Sequence, residues 1–304
     1  MSGLTPSIPG AQKNRDTIFV EDAILTHKNE YPGEQFVFRL AAPLCARNAI
    51  AGSFVHLQCD KRIAMRRPLS IMRANISEGW IEVLFKTVGG GLRALSEREV
   101  GESLSIIGPI GRGFTAHSDR PRTLLIGGGV GIPPMLFLAG QLHADTRDWQ
   151  PLLLMGSEIP FPFEAAASSL ATPWLPDEIN CSMPLLDEWG IISRLASLAG
   201  YDGCYKGYVT DLARVWLESL TSDERSQTEI FSCGPTLMLK AAAELASEYQ
   251  LPCQVCLEEF MACGVGGCAG CAVEVQTANG PAMKRVCVDG PVFEASSVWG
   301  RSTL

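Results

Sequence analysis

The sequence predicts a multi-domain β + α/β protein: an antiparallel β-barrel, a parallel-sheet α/β domain and a short C-terminal cysteine domain. Three observations predict it. Apolar and polar residues alternate over short segments up to about residue 116. From about residue 120, apolar runs alternate with helix-like stretches. Four of the eleven cysteines crowd between Cys263 and Cys287.

A length of 304 residues suits two or three domains. The composition, 46% hydrophobic and 19% charged, is that of a globular chain. A net charge of −8 argues against a general nucleic-acid role. Charges, Gly or Pro interrupt every apolar run, so no membrane span is expected. Residues 1–16 read as a mobile leader. They lack a basic region followed by an apolar one, so a secretory signal is not expected there. The expected location is the cytoplasm, where structural disulfides are rare.

Residues 17–118 form the expected barrel. Phe36, Phe38 and Leu40 alternate with Val37 and Arg39, and Ile81, Val83 and Phe85 with Glu82, Leu84 and Lys86. Such period-two segments, separated by turn clusters, read as short antiparallel strands of a barrel or sandwich. Within them stands Arg66-Arg67-Pro68-Leu69-Ser70. Two guanidiniums beside a strand suit a diphosphate, although an ordinary solvated edge fits the same residues. Gly89, Gly90 and Gly91, before Leu92, open a helix or a plain loop.

HSDRPR, residues 117–122, reads as the linker. Residues 119–250 form the expected α/β domain. The runs TLLIGGG, PLLLMGS and EIFSCGP alternate with PPMLFLAGQLHA and PTLMLKAAAELASEY, the pattern of βαβ units. Leu124 to Ile126 run into Gly127, Gly128, Gly129 and Gly131, and a helix is expected from Pro133 or Pro134. Glycines admit a pyrophosphate close to the backbone, and a helix start offers it free N–H groups. No acidic residue clearly closes the second strand to grip a ribose; Glu158 is the nearest. Cys233-Gly234-Pro235 ends a second strand, where a thiol would lie beside a nicotinamide or simply fill a tight turn.

Residues 251–304 form the expected third domain. The spacing is Cys263-x4-Cys268-x2-Cys271-x15-Cys287. An odd total of eleven cysteines forbids full pairing within one chain. Zinc sites favour paired Cys-x2–4-Cys knuckles and histidine, and no histidine lies beyond residue 143. Cys-x4-Cys-x2-Cys with a distant fourth is the spacing of plant-type [2Fe–2S] ferredoxins. Gly264, Gly266, Gly267 and Gly270 let the loop wrap and aim N–H groups at sulfur, so the cluster is favoured over zinc. Cys253 and Cys256 read as strand residues on opposite faces, unable to share a metal.

A nicotinamide gives electrons in pairs and a cluster takes them singly. A flavin between them does both, so FAD is implied beside NAD and the [2Fe–2S] cluster. RRPLS, VGGGLRALS, GPIGRGF, LLIGGGVGIPPM, YKGYVTDL, FSCGP, LEEFMACGVGGCAGC and KRVCVDGPVF follow in that order. The chain thereby resembles the electron-transfer subunits of two-subunit, NAD-linked dihydroorotate dehydrogenases, in the ferredoxin–NADP reductase superfamily. The resemblance implies a flavin-binding barrel and an FMN-containing catalytic partner in a heterotetramer serving pyrimidine biosynthesis. It assigns Arg67, Pro68, Leu69 and Ser70, with Gly89, Gly90, Gly91 and Leu92, to FAD. It assigns Gly127, Gly129, Gly131, Cys233, Gly234 and Pro235 to NAD, and Cys263, Cys268, Cys271 and Cys287 to the cluster. Two positions depart from the family: Leu92 replaces a hydroxyl residue, and Phe260 stands where Arg is common. A reductase subunit of a hydrogenase, sulfite reductase or transhydrogenase is the alternative reading.

Overall fold

The computed structural model describes residues 17–300; the expected leader, 1–16, lies outside them. Strands β1 (Phe19–Tyr31), β2 (Gln35–Ala41), β3 (Phe54–Leu57), β4 (Arg67–Asn75), β5 (Trp80–Lys86) and β6 (Ser103–Ile110) close a barrel in the order β1-β2-β5-β4-β3-β6. Helices α1 (Pro43–Asn48) and α2 (Gly89–Ser96) interrupt it. Antiparallel register sets Phe36 opposite Phe85 and Phe38 opposite Val83. The three phenylalanines meet inside, with Phe36 and Phe85 stacked at 5.5 Å and Phe38 edge-on to Phe85 at 4.9 Å.

The expected inward positions are buried, but Val37, Glu82 and Leu84 are buried as well. The outside of this barrel flank is therefore not solvent. Helix α3 (Ile132–Ala144) packs across β4, and the turn before it reaches β5. Nine of its thirteen residues are buried, as expected of a helix apolar on every side. Glu82 has a partner there: Arg39 donates to its Oε1 from Nε at 3.0 Å and from Nη2 at 2.7 Å.

Behind α3 lies a second sheet. Its strands are β7 (Arg122–Gly128), β8 (Gln150–Gly156), β11 (Ile192–Ala196), β12 (Thr228–Cys233), β13 (Cys253–Cys256) and β16 (Val292–Glu294), in the order β11-β8-β7-β12-β13-β16. All pairs are parallel except β13–β16. The small hairpin β9 (Ala166–Ala167) and β10 (Cys181–Ser182) and the helix α4 (Pro184–Glu188) precede β11. Helices α5 (Val209–Ser219), α6 (Ser222–Ser226) and α7 (Thr236–Glu248) lead to β12 and β13. A hairpin of β14 (Ala272–Thr277) and β15 (Gly280–Arg285), with α8 (Val286–Asp289) and α9 (Ala295–Trp299), completes the C-terminus. β13 and β16 lie in the stretch expected to form a separate third domain, yet they join this sheet. Among the described residues no helix is long and apolar enough to cross a membrane.

The 117–122 segment is tied down along its length. His117 N and Nδ1 donate to the two carboxylate oxygens of Glu229, each at 2.8 Å, and Arg120 donates to Thr228 O at 2.9 Å. Glu229 is 1% exposed. Burial pushes its carboxyl up, and the bond to Glu229 pushes His117 up. Replacing His117 with Ala leaves a buried carboxylate short of a partner and is expected to cost about 1–3 kcal/mol. A raised imidazole stabilises the fold most fully below its ordinary value of 6.5 and loses that effect as pH rises through the raised value. Denaturant melts of both proteins check this: the gap between them should be wider at about pH 6 than at about pH 9.

Candidate flavin, nucleotide and cluster sites

The flavin candidates converge. β4 starts at Arg67, with Arg67, Pro68, Leu69 and Ser70 opposite Leu57, His56, Val55 and Phe54 of β3. Helix α2 starts at Gly89, with Gly90 and Gly91 in its first turn. A Cβ built on Gly91 would lie 2.8 Å from Arg67 Nη2, so the guanidinium rests directly on the helix start. Gly89, at φ +71°, and Gly90 face open space within 4 Å. A guanidinium, an open glycine turn and a helix start together make a cradle for a diphosphate. Leu92 packs against the barrel core and brings no hydroxyl to it. Arg66 is not part of this cradle. It turns into the barrel wall, donating to Ser105 O at 2.7 Å and Ser105 Oγ at 2.9 Å.

The nucleotide candidates lie where strand order reverses. From β7 the chain builds outward to β8 and β11, then returns to place β12 on the other flank of β7. Crevices outside the carboxyl ends of strands at such a switch point are where open α/β sheets bind ligands. Gly127 pairs with Cys233 across it. Gly131 lies so close that a Cβ would stand 2.4 Å from Cys233 C and O and 2.5 Å from Gly234 N. Gly129, at φ +53°, is open.

One expectation is corrected, the start of the helix. Helix α3 begins at Ile132 after a 3-10 turn, Gly129–Gly131, and Pro133 and Pro134 occupy its first turn. Ile132 N–H is spent on Gly129 O, so this start offers phosphate its dipole more than its donors. Cys233 is fully buried, and its thiol meets Cys256, the neighbour in register on β13. That contact and burial push the Cys233 thiol well up. Gly234 and Pro235 line the crevice's end, while the thiol lies beneath it. Cys253 sits in the opposite core from Cys256, as strand alternation requires. Glu158 follows β8 and is exposed.

The four C-terminal cysteines fall into two pairs. Cys271 Sγ lies 3.3 Å from Cys287 Sγ in a buried pocket, and burial with that neighbour pushes Cys287 up to about 12. Cys263 and Cys268 thiols touch nearer the surface. Burial raises Cys263, but the N–H groups of Val265, Cys268 and Gly267 outweigh it and bring the thiol down to about 7. Gly267 N donates to Cys263 Sγ at 3.2 Å and Gly270 N to Cys268 Sγ at 3.4 Å. Among the described residues no three His, Cys, Asp or Glu side chains converge on one ion. Two thiol pairs with main-chain N–H groups turned to sulfur fit a binuclear iron–sulfur group, which needs two thiolates on each iron.

Two residues that sequence reading left out shape this loop. Arg285 Nη1 donates to Gly266 O at 2.8 Å, and Asp289 Oδ2 accepts from Arg285 N at 2.9 Å. Its place two residues before Cys287 was the available signal. His56 of β3, far off in sequence, lies under Gly264, and no local pattern marks it. Phe260, just before the loop, is 95% exposed.

Residues 258–299 match the family of iron–sulfur cluster binding domains of dihydroorotate dehydrogenase B. The electron transfer subunit of dihydroorotate dehydrogenase B (NAD(+)) from Desulforamulus reducens is 30% identical over 268 residues, 84% of this chain and 89% of the relative. That of Caldanaerobacter subterraneus is 32% identical over 247 residues, 81% of this chain and 86% of the relative. Among solved structures, an NADH-dependent reduced ferredoxin–NADP oxidoreductase shares the fold with a TM-score of 0.71 at 23% identity, covering 91% of this chain and 90% of that one. A ferredoxin reductase of carbazole 1,9a-dioxygenase does so at 0.59 and 20%, covering 81% and 68%.

Proposed function

Because this chain belongs to the electron transfer subunits of NAD(+)-linked dihydroorotate dehydrogenase B, we propose that it carries electrons between a dihydroorotate-oxidising catalytic subunit and NAD in pyrimidine biosynthesis. The observation that carries this reading is the two-pair cysteine loop, inside the family match, laid on the barrel that holds the flavin candidates. When bound, FAD exchanges electron pairs with NAD and single electrons with a [2Fe–2S] cluster, chemistry that the side chains themselves lack.

The chain's own residues bind and orient these groups. Cys263, Cys268, Cys271 and Cys287 hold the cluster, with the N–H groups of Gly267 and Gly270 on sulfur and Arg285 bracing the loop. Arg67, Pro68, Leu69 and Ser70 hold FAD, with the Arg67 charge and the Gly89–Gly91 helix start on its diphosphate. Gly127, Gly129 and Gly131 receive the NAD pyrophosphate, and Gly234 and Pro235 border the nicotinamide. The work divides over 17–118, 119–250 and 251–304, the last stretch anchored to the second sheet through β13 and β16.

The partner in this reading is an FMN-containing catalytic subunit, in a cytoplasmic heterotetramer. Service to a hydrogenase, sulfite reductase or transhydrogenase is not favoured, since the relatives are subunits of dihydroorotate dehydrogenase B. Co-expression with the FMN subunit from the same genome tests this. The complex should reduce NAD with dihydroorotate, and neither subunit alone should do so. A stable mixture with no NAD reduction would contradict the proposal.

A further inference from the structure

β3 is buried on both faces. Val55 and Leu57 point into the barrel core. Phe54 belongs to the second core, together with Met261, Cys271 and Cys287. Alternation puts His56 on the Phe54 side, directly opposite Pro68 of the flavin strand. Its side chain thus leaves the barrel and enters the C-terminal module.

There it meets the cluster loop. A Cβ on Gly264 would stand 2.9 Å from His56 Nδ1 and 3.1 Å from its Cγ, and Gly264 has φ +68°. Only glycine both adopts that conformation easily and leaves room for the ring. His56 is 1% exposed, and neither ring nitrogen completes a hydrogen bond of full geometry. Main-chain acceptors of Met261, Cys263 and Arg66 nevertheless stand near enough to favour a proton on the ring. Burial first, and then the Arg66 charge, oppose it and lower the imidazole. Arg66 itself is fixed to Ser105 and, at 3.3 Å, to His56 O. The His56 main chain is therefore held from the barrel side, and the ring meets the loop with Nδ1 toward Gly264.

We propose that His56 is a positioning residue: its ring N–H, aimed at the main chain of Met261–Cys263, fixes the loop of the first cluster cysteine against the flavin strand. This rests on the reading of Cys263 as a cluster ligand. A buried imidazole that spends no nitrogen elsewhere suits the task, because leaving it unpaired costs more than the bond returns. Groups one shell out from a metal ligand set its orientation and the potential of the centre.

The test compares His56→Phe, which keeps a ring but no nitrogen, with His56→Asn, which keeps a donor near the Nδ1 position. Hydrogen exchange of residues 261–268 and the electron paramagnetic resonance spectrum of the reduced cluster are the readouts, in the full chain as purified. H56F is expected to exchange about tenfold faster in 261–268 and to broaden the spectrum. H56N is expected to return both most of the way. H56F with wild-type exchange and spectrum would mean that ring volume alone holds the loop, and would overturn the proposal. If H56F fails to fold, H56N decides alone: exchange within about twofold of wild type supports a donor role, and tenfold faster exchange refutes it. Wild-type protein without iron would overturn the cluster reading instead, and the exchange contrast would still decide the role of His56.

Discussion

Replacing Cys268 with serine is expected to lower dihydroorotate-driven NAD reduction by the assembled complex at least about a hundredfold. NADH oxidation with a small dye, which draws on the flavin directly, should persist. Cys268 is the right cysteine to change because it is exposed, unlike Cys271 and Cys287, which sit in a core. A serine at 268 opens no cavity, so a lost activity reports on the ligand and not on folding. Rates with both acceptors, and iron and sulfide on the same sample, check the result. A C268S complex that couples fully to its partner would refute the ligand assignment.

The second large effect is expected at Gly131. Its φ of −88° is ordinary for any residue, so only space is at issue. The Cβ of G131A would fall 2.4 Å from Cys233 C and O. Main-chain atoms at the end of a central strand do not give way, so the two turns of the nucleotide crevice must part. A loss of about 2–4 kcal/mol in stability is expected, with at least a roughly tenfold rise in KM for NADH. Gly91 is the control with the opposite outcome. The Cβ of G91A meets the far end of the Arg67 side chain, which moves at small cost. That variant should stay within about 1 kcal/mol of the parent in stability but retain less FAD after gel filtration. Melting curves, NADH titrations and flavin content separate the two. A G131A protein with parental stability and KM would contradict the geometry of the crevice.

The contrast between these glycines shows what the sequence could and could not disclose. Period-two alternation in Phe36–Leu40 and Ile81–Phe85 located two barrel strands, because burial on the inner face imposes that period. It did not disclose that Val37 and Leu84 are buried too, since burial on the outer face comes from packing against other parts of the chain and leaves no mark on the local period. The strand–glycine–helix pattern at 124–134 and the spacing of the four cysteines are local, and both were legible. Arg66 and Arg67 looked equivalent in sequence. Arg67 opens β4 and Arg66 lies just before it, and one guanidinium goes to Ser105, the other to Gly91. Cys233 was legible as a strand end, but its cover by Cys256 depends on which strand pairs with β12. His56 against Gly264 joins two distant segments, and only the packing of the C-terminal module on β3 creates that contact.

The most direct test of the central claim is an anaerobic visible titration of the purified chain with NADH, with iron, sulfide and flavin assayed on the same sample. The account predicts about one FAD, two iron and two sulfide per chain, with both flavin and cluster absorbance bleached by NADH. Zinc at the cysteines, or a flavin that NADH reduces while the cluster absorbance stays unchanged, would contradict it.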